Sequence, residues 1–473
     1  MSQSPVRENP TLTQSLAAHW SRVTFDDLPA EDVAGIKDHI LDTLAVAMYG
    51  AATPEAGRVI RALTGIQDSA SGSLVWGTGF RLNPAQAALA NGTSAHARDF
   101  DDGGGSGHAG VTVLPAAIAA AEVVGASGRE LITATIAGYD IGFRALAALG
   151  GFGAHTDRGW HTTGTMGSLS AAAAAAKCLG LDADRFTDAL GIAGSFTGGI
   201  WAFKDDGAMT KRLHPGKACE TGVDAAVLAR AGITGPSRLF EAEWGGIIAT
   251  YNGGTGYPER AVENLGTDLN VASSYLKPYA CCRGSHSAVD VVMALLTRRS
   301  LTAEDVRSVR VALGETAYNM LSVERIETVF DAQFSLPYAL ALALCGGRLG
   351  LDEYEPLRLA EPRIRGAMAK VSLEVEPGIG LLDGPRLEFT LTDGEVIVLE
   401  AGDPTDAKGS AKNPMTHAEV VAKATSLLGP LGDGRAQRLV TAVENLDNIG
   451  RTAGGAAQIE CVGIDDHRLT ARQ

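Results

Sequence analysis

Residues 167–180 read GSLSAAAAAAKCLG, six consecutive alanines between a Gly-Ser start and a Gly stop. Alanine has the highest helix propensity, and its short side chain lets helices approach closely. The run predicts an alanine-rich helix. The same character extends outward, in VLPAAIAAAEVVGASG (113–128) and CETGVDAAVLARAGITG (219–235). EDVAGIKDHILDTLAVAMYGA (31–51) places Val33, Ile36, Ile40 and Leu44 at helical spacing. NPAQAALANGTSAHARDFDD (83–102) reads as a small-residue helix running into an acidic loop. The first ~270 residues are therefore expected to be helical, with little strand.

The pattern changes near Tyr275. VRSVRVAL (306–313) alternates as a strand does, and KVSLEVE (370–376) puts Val371, Leu373 and Val375 on one face. RLEFTLTDGEVIVLE (386–400) is a hairpin turning at Asp393-Gly394. NPMTHAEVVAKATSLLG (413–429) returns to helix. The expected fold is mostly α: a large helical domain from both chain ends (1–272 and 403–473), with a smaller α+β lid (273–402) inserted. A length of 473 residues fits two units better than one core.

The net charge of −15 argues against nucleic acid or an anionic membrane as partner, and leaves room for a small acidic ligand in a local cationic pocket. No apolar run reaches the ~18 residues of a membrane span. The six cysteines (178, 219, 281, 282, 345 and 461) include no CxxC pair, and the first residues, MSQSPVRENPTLTQ, contain no apolar signal region. The expectation is a reduced, cytoplasmic protein.

Four clusters could carry chemistry. HARDFDDGGGSGHAG (96–110) sets Asp99, Asp101 and Asp102 before a glycine loop and His108. It is either a solvated acidic loop or a carboxylate that tunes a histidine for proton transfer. In RGWHTTGTMGSLSAAAAAAK (158–177), His161 precedes a helix with Thr162 or Thr163 as a cap. FKDDGAMTKRLHPGKACETG (203–222) crowds Lys204, Lys211, Arg212, His214 and Lys217 before a helix entered through Pro215-Gly216. It is either a charged surface or a cradle for carboxylates. YLKPYACCRGSHSAVD (275–290) offers Cys281, Cys282 and His286, with Lys277 and Arg283 as cations. Adjacent cysteines bridge poorly, and further zinc ligands at the usual spacings are absent, so the sulfurs read best as packing. No dinucleotide fingerprint, P-loop, HExxH or GxSxG pattern occurs. The residues point to proton transfer on an anionic substrate without an organic cofactor.

The chain resembles the MmgE/PrpD family of 2-methylcitrate dehydratases, cis-aconitate decarboxylases and an iminodisuccinate epimerase. The resemblance rests on DHILDTLAVAMYGA, ANGTSAHARDFDD, RGWHTTGTMGSLSAAAAAAKCLGLD, TKRLHPGKACETGVDAAVLARAGITGP, KPYACCRGSHSAVD, AQFSLPYALALAL and KNPMT, in the family's order. It implies the same body-and-lid fold, a homodimer, no metal, no cofactor and a site in the cleft between domains. It places catalytic roles on Asp99, His161, Lys211 and His286, with Tyr338 in SLPYAL as a further candidate for substrate binding; His108 joins the catalytic candidates as a proton-transfer group, and Lys204, Lys277 and Arg283 are the cations expected to bind the substrate's carboxylates. His108 matches the family's second loop histidine with a one-residue gap, and Gly103 stands where the family usually has threonine. The implied activity is a lyase reaction, dehydration or decarboxylation of a small di- or tricarboxylic acid. Epimerisation of a related polycarboxylate, or a catalytically inactive metabolite-binding homologue, are the alternatives.

Overall fold

A computed structural model describes residues 9–67, 71–380, 383–403, 405–432 and 434–451. Cys461 lies outside them.

The alanine run forms the helix Thr162–Cys178, in which every residue except Lys177 is buried. The helices Gly110–Val124, Gly128–Ala148, Ala183–Ser195 and Thr210–Arg230 pack around it. The small residues make this proximity possible. A Cβ added at Gly222 would lie 2.4 Å from that of Ala171, and one at Gly167 would lie 2.7 Å from Thr112 Cγ2. Neither distance is compatible with a side chain unless the helices separate.

One polar knot ties the entry of the chain to this body. Asp140, fully buried on Gly128–Ala148, accepts hydrogen bonds from Trp20 Nε1 (2.8 Å), Arg144 Nε (2.8 Å) and Asn270 Nδ2 (2.6 Å). Arg144 donates onward to the carbonyls of Glu263 and Asp268.

The larger sheet lies where the alternation placed it, and a second, two-stranded one pairs Ser73–Leu74 with Arg81–Leu82. Val371–Val375, Val306–Leu313, Arg386–Leu391 and Val396–Glu400 form a four-stranded sheet in that order. The first pair is parallel, with Val309 opposite Val371, and the others are antiparallel. Val309, Val311, Leu387 and Phe389 are buried on the sheet's inner face. Val371, Leu373 and Val375 share a face as expected, but on an edge strand, and Val375 is 44% exposed. The turn uses Gly394 at φ +94°, a left-handed position that suits glycine.

The helix His417–Leu428 packs on Ala30–Ala51 near the start of the chain. Three sequence expectations change in detail. The helix carrying Lys211 begins at Thr210, not at Pro215, which sits inside it; proline lacks the N–H that would bond the Lys211 carbonyl. His161, not a threonine, is the N-cap of Thr162–Cys178, and it makes no side-chain capping bond. The acidic stretch is not solvated: Asp99, Asp101 and Asp102 are all buried. Among the described residues no helix is long and apolar enough to cross a membrane.

Candidate active site

The helix Pro84–Ala95 ends at His96, and the chain turns sharply through Asp99. Asp99 has φ +49°, a left-handed conformation that is costly for a residue with a Cβ. The turn carries its side chain to two lysines that are far away in sequence. Asp99 Oδ1 accepts from Lys211 Nζ at 2.9 Å and from Lys277 Nζ at 3.1 Å, and Lys277 also donates to the Asp99 carbonyl at 2.8 Å. All three are buried.

Burial alone would raise the Asp99 pKa, but Lys211 and Lys277 outweigh it and hold the carboxyl well below its ordinary range. The two lysines respond in opposite directions. Burial lowers Lys211, with Asp99 opposing it and Lys277 adding repulsion. Burial also disfavours charge on Lys277, yet Asp99 and Asp101 more than reverse this and raise it. Lys277 is thus a fixed positive charge, whereas Lys211 is the more readily deprotonated ammonium.

Asp101 orders the imidazoles. Its carboxylate sits 2.9 Å from His96 Nδ1 and 2.8 Å from His108 Nδ1. With Nδ1 of each ring directed at a carboxylate, the basic lone pair falls on Nε2. His96 Nε2 accepts from Lys211 at 2.9 Å. Burial pushes the His96 pKa down to about 3, with Asp101 opposing and Lys211 reinforcing, so the ring is neutral. His108 Nε2 lies 3.9 Å from Asp99 Oδ1, too far for a hydrogen bond. Asp102 fixes the next turn by accepting from His39 Nδ1 (2.6 Å), Gly110 N (2.8 Å) and Tyr139 Oη.

His161 stands on the neighbouring wall, between Trp201 and Phe203, with its Nδ1 2.8 Å from His214 Nδ1. Burial, reinforced by Lys211 and His214, lowers His161 well below its usual range, and burial with Lys211 lowers His214 to about 4. Both rings are neutral, one Nδ1 donating to the other. The Thr162 and Thr163 hydroxyls, which face Gly107, are buried and have no partner among the described residues.

The structure brings Asp99, His108, Lys211 and Lys277 together, with His161 close by. Its placement of the other candidates is different. Arg283 Nη1 donates to the Lys408 carbonyl (2.8 Å) and to His286 Nδ1 (3.1 Å), while Nη2 reaches the Ala407 carbonyl (3.2 Å). Because Arg283 can only donate, His286 Nδ1 must accept, and Nε2–H points to the Cys281 carbonyl at 3.3 Å. Both ring nitrogens of His286 thereby have partners within residues 281–283, and it is Arg283 that reaches the 407–410 segment. The Tyr338 hydroxyl donates to the Glu353 carbonyl (2.9 Å), and its ring packs on Tyr354. Lys204 lies on the short helix Phe203–Asp206 and forms no ion pair among the described residues.

Cys281 and Cys282 are buried free thiols; burial raises both, Cys281 to about 12, so neither is a thiolate at neutral pH. His96, Asp99, Asp101 and His108 converge closely enough to hold a metal ion. Lys211 Nζ, however, already bonds two of those four ligands. The donor set is neutralised by ammonium groups, which fits a metal poorly.

The glycine loop leaves no room for a side chain at Gly103. Gly103 and Tyr275 exchange backbone hydrogen bonds (3.0 and 2.9 Å), and a Cβ at Gly103 would lie 2.2 Å from the Tyr275 ring. The same ring supports Arg283, 4.5 Å above it. Gly103→Ala is therefore expected to displace Tyr275 and raise KM for an accepted substrate severalfold, while the far-UV circular dichroism is unchanged. Steady-state kinetics beside a thermal melt check this.

A helical body, a small mixed sheet and a buried Asp–Lys–His cluster characterise the chain. Family models place it further. The MmgE/PrpD N-terminal domain matches residues 14–258 and the MmgE/PrpD C-terminal domain matches 279–448. The chain belongs to the MmgE/PrpD family. It is 29% identical to the cis-aconitate decarboxylase-like protein oryM of Aspergillus oryzae, over 92% of this chain and 94% of that one. It is 28% identical to a cis-aconitate decarboxylase of Aspergillus terreus (91% and 92%) and 28% identical to the human cis-aconitate decarboxylase (78% and 77%).

Proposed function

We propose that the protein is a lyase that decarboxylates a small tricarboxylic acid of the cis-aconitate type, using neither a metal nor an organic cofactor and acting as a homodimer. The observation that carries this reading is the cluster around Asp99: two buried lysines on one carboxylate oxygen, beside a histidine nitrogen that makes no hydrogen bond among the described residues. The names of the relatives add the substrate class.

In such a reaction one C–C bond breaks, carbon dioxide leaves, and a proton takes its place on carbon. Lys277, permanently charged, would hold a retained carboxylate and stabilise the negative charge that develops beside it. Lys211, the more easily deprotonated lysine, and His108 Nε2 are the groups that would deliver or accept the proton. His161 and His214, both neutral, would flank the substrate and extend the proton path. Asp99 would order the two ammonium groups before substrate arrives. Residues 273–402 would act as the lid over a body made of 1–272 and 403–473.

The test is to incubate the purified protein with cis-aconitate, 2-methylcitrate and iminodisuccinate in D2O and follow each by NMR. Carbon dioxide release from cis-aconitate, with one deuterium placed on the product carbon, is the expected result. The reading fails if none of the acids is consumed and none exchanges a carbon-bound proton.

A further inference from the structure

Lys423 lies on the helix His417–Leu428, more than 300 residues from Asp99 in sequence, and is almost fully buried. Its ammonium reaches through the body to three groups. Nζ donates to the Phe100 carbonyl at 2.6 Å and to the Lys277 carbonyl at 2.9 Å, and pairs with Asp42 Oδ1 at 2.6 Å. Nζ also lies over the Phe100 ring, 3.9 Å from its centroid. Those two carbonyls belong to two of the three segments that build the cluster, the third being the helix that carries Lys211. Lys277 in turn donates to the Asp99 carbonyl. The successive carbonyls of Asp99 and Phe100 are therefore each held by an ammonium group, just where the backbone takes its left-handed turn at Asp99. A left-handed residue with a Cβ persists only when its surroundings over-determine it.

We propose that Lys423 is a positioning residue of the active site: by clamping the Phe100 and Lys277 carbonyls it holds the Asp99 carboxylate against the Lys277 ammonium. Its catalytic consequence rests on the lyase reading above; its structural consequence does not. Asp42 supplies the counter-charge. Burial raises the Asp42 pKa to about 6, against the pull of Lys423. Without Lys423 the carboxyl would be left buried and unpaired, so a single substitution risks unfolding. The informative variant is the double one, Lys423→Met with Asp42→Asn, which keeps both shapes and removes both charges.

Two readouts are taken on the full-length double variant. Amide hydrogen exchange is expected to accelerate by about tenfold or more across residues 99–104, with no change in the helix Thr162–Cys178. On whichever acid the wild type consumes, kcat is expected to fall by about 10–100-fold, with KM much less affected, as a misplaced catalytic geometry predicts. Exchange at 99–104 that matches the wild type overturns the proposal, whatever the activity. Accelerated exchange with undiminished kcat overturns it as well, since Lys423 would then brace the fold without setting the chemistry. A wild type that consumes none of the acids refutes the lyase reading instead, and the exchange measurement alone then decides whether Lys423 holds the turn.

Discussion

Lys211→Met lowers kcat by about 10²–10⁴-fold, the range expected when a proton-transfer group or an electrostatic stabiliser is lost. Methionine keeps the unbranched stem over the Phe334 ring, where Lys211 Nζ now sits 5.1 Å from the centroid. The substitution therefore removes charge and donors with little change in packing. Asp99 retains Lys277 as a partner, so its carboxylate stays ionised and in place. The loss then reports on Lys211 itself. His96 provides a second sign. Lys211 helps to depress its pKa, so with the ammonium gone the ring titrates closer to its ordinary value, an upward shift visible by NMR. Undiminished turnover in Lys211→Met would remove this lysine from the mechanism.

Asp140→Ala destabilises the fold by about 3–5 kcal/mol, the usual result of taking one partner from a buried ion pair. Three donors lose their acceptor together: Trp20 Nε1, Arg144 Nε and Asn270 Nδ2. Arg144 is left charged and nearly free of solvent contact, its remaining N–H groups received among the described residues by the carbonyls of Glu263, Asn264 and Asp268. Asp140→Asn should be milder, because an amide oxygen can still accept. A denaturant titration checks the order: both midpoints fall, the Ala variant further. The specific activity of the folded fraction is expected to stay near that of the wild type, since none of these residues contacts the Asp99 cluster. Equal midpoints for the Ala variant and the wild type would show that the knot contributes nothing.

The sequence made the helical body and the sheet visible because both depend on local pattern. Residues 171–176 form helix by propensity, and residues 386–400 form a hairpin through alternation and a left-handed glycine. The site was visible only in part. Asp99, His108, Lys211 and Lys277 stood out as charged groups in short clusters, but the partner of each comes from elsewhere in the chain. Arg283 shows what local reading misses: it looked like a free cation, yet its donors go to residues 407 and 408, over 100 positions later. His96 could have been noticed from its spacing to Asp101, five residues along the same tight turn. Lys423 gave no local sign, since one lysine in the segment EVVAKATSLLG (419–429) resembles any lysine at a helix surface. Buried lysines are identified by the carbonyls they reach, and only the folded chain shows those.

The reach of Lys423 also sets an order of events during synthesis. The Asp99 turn leaves the ribosome early, but the ammonium that holds its Phe100 carbonyl is added more than 300 residues later. At roughly 5–20 residues per second, that interval is on the order of 20–60 s. Throughout it, the nascent chain has its aspartates and histidines but not the frame that aligns them. On this proposal Asp99 meets Lys211 and Lys277 earlier, but its turn is clamped only once the helix His417–Leu428 packs onto the segments made before it.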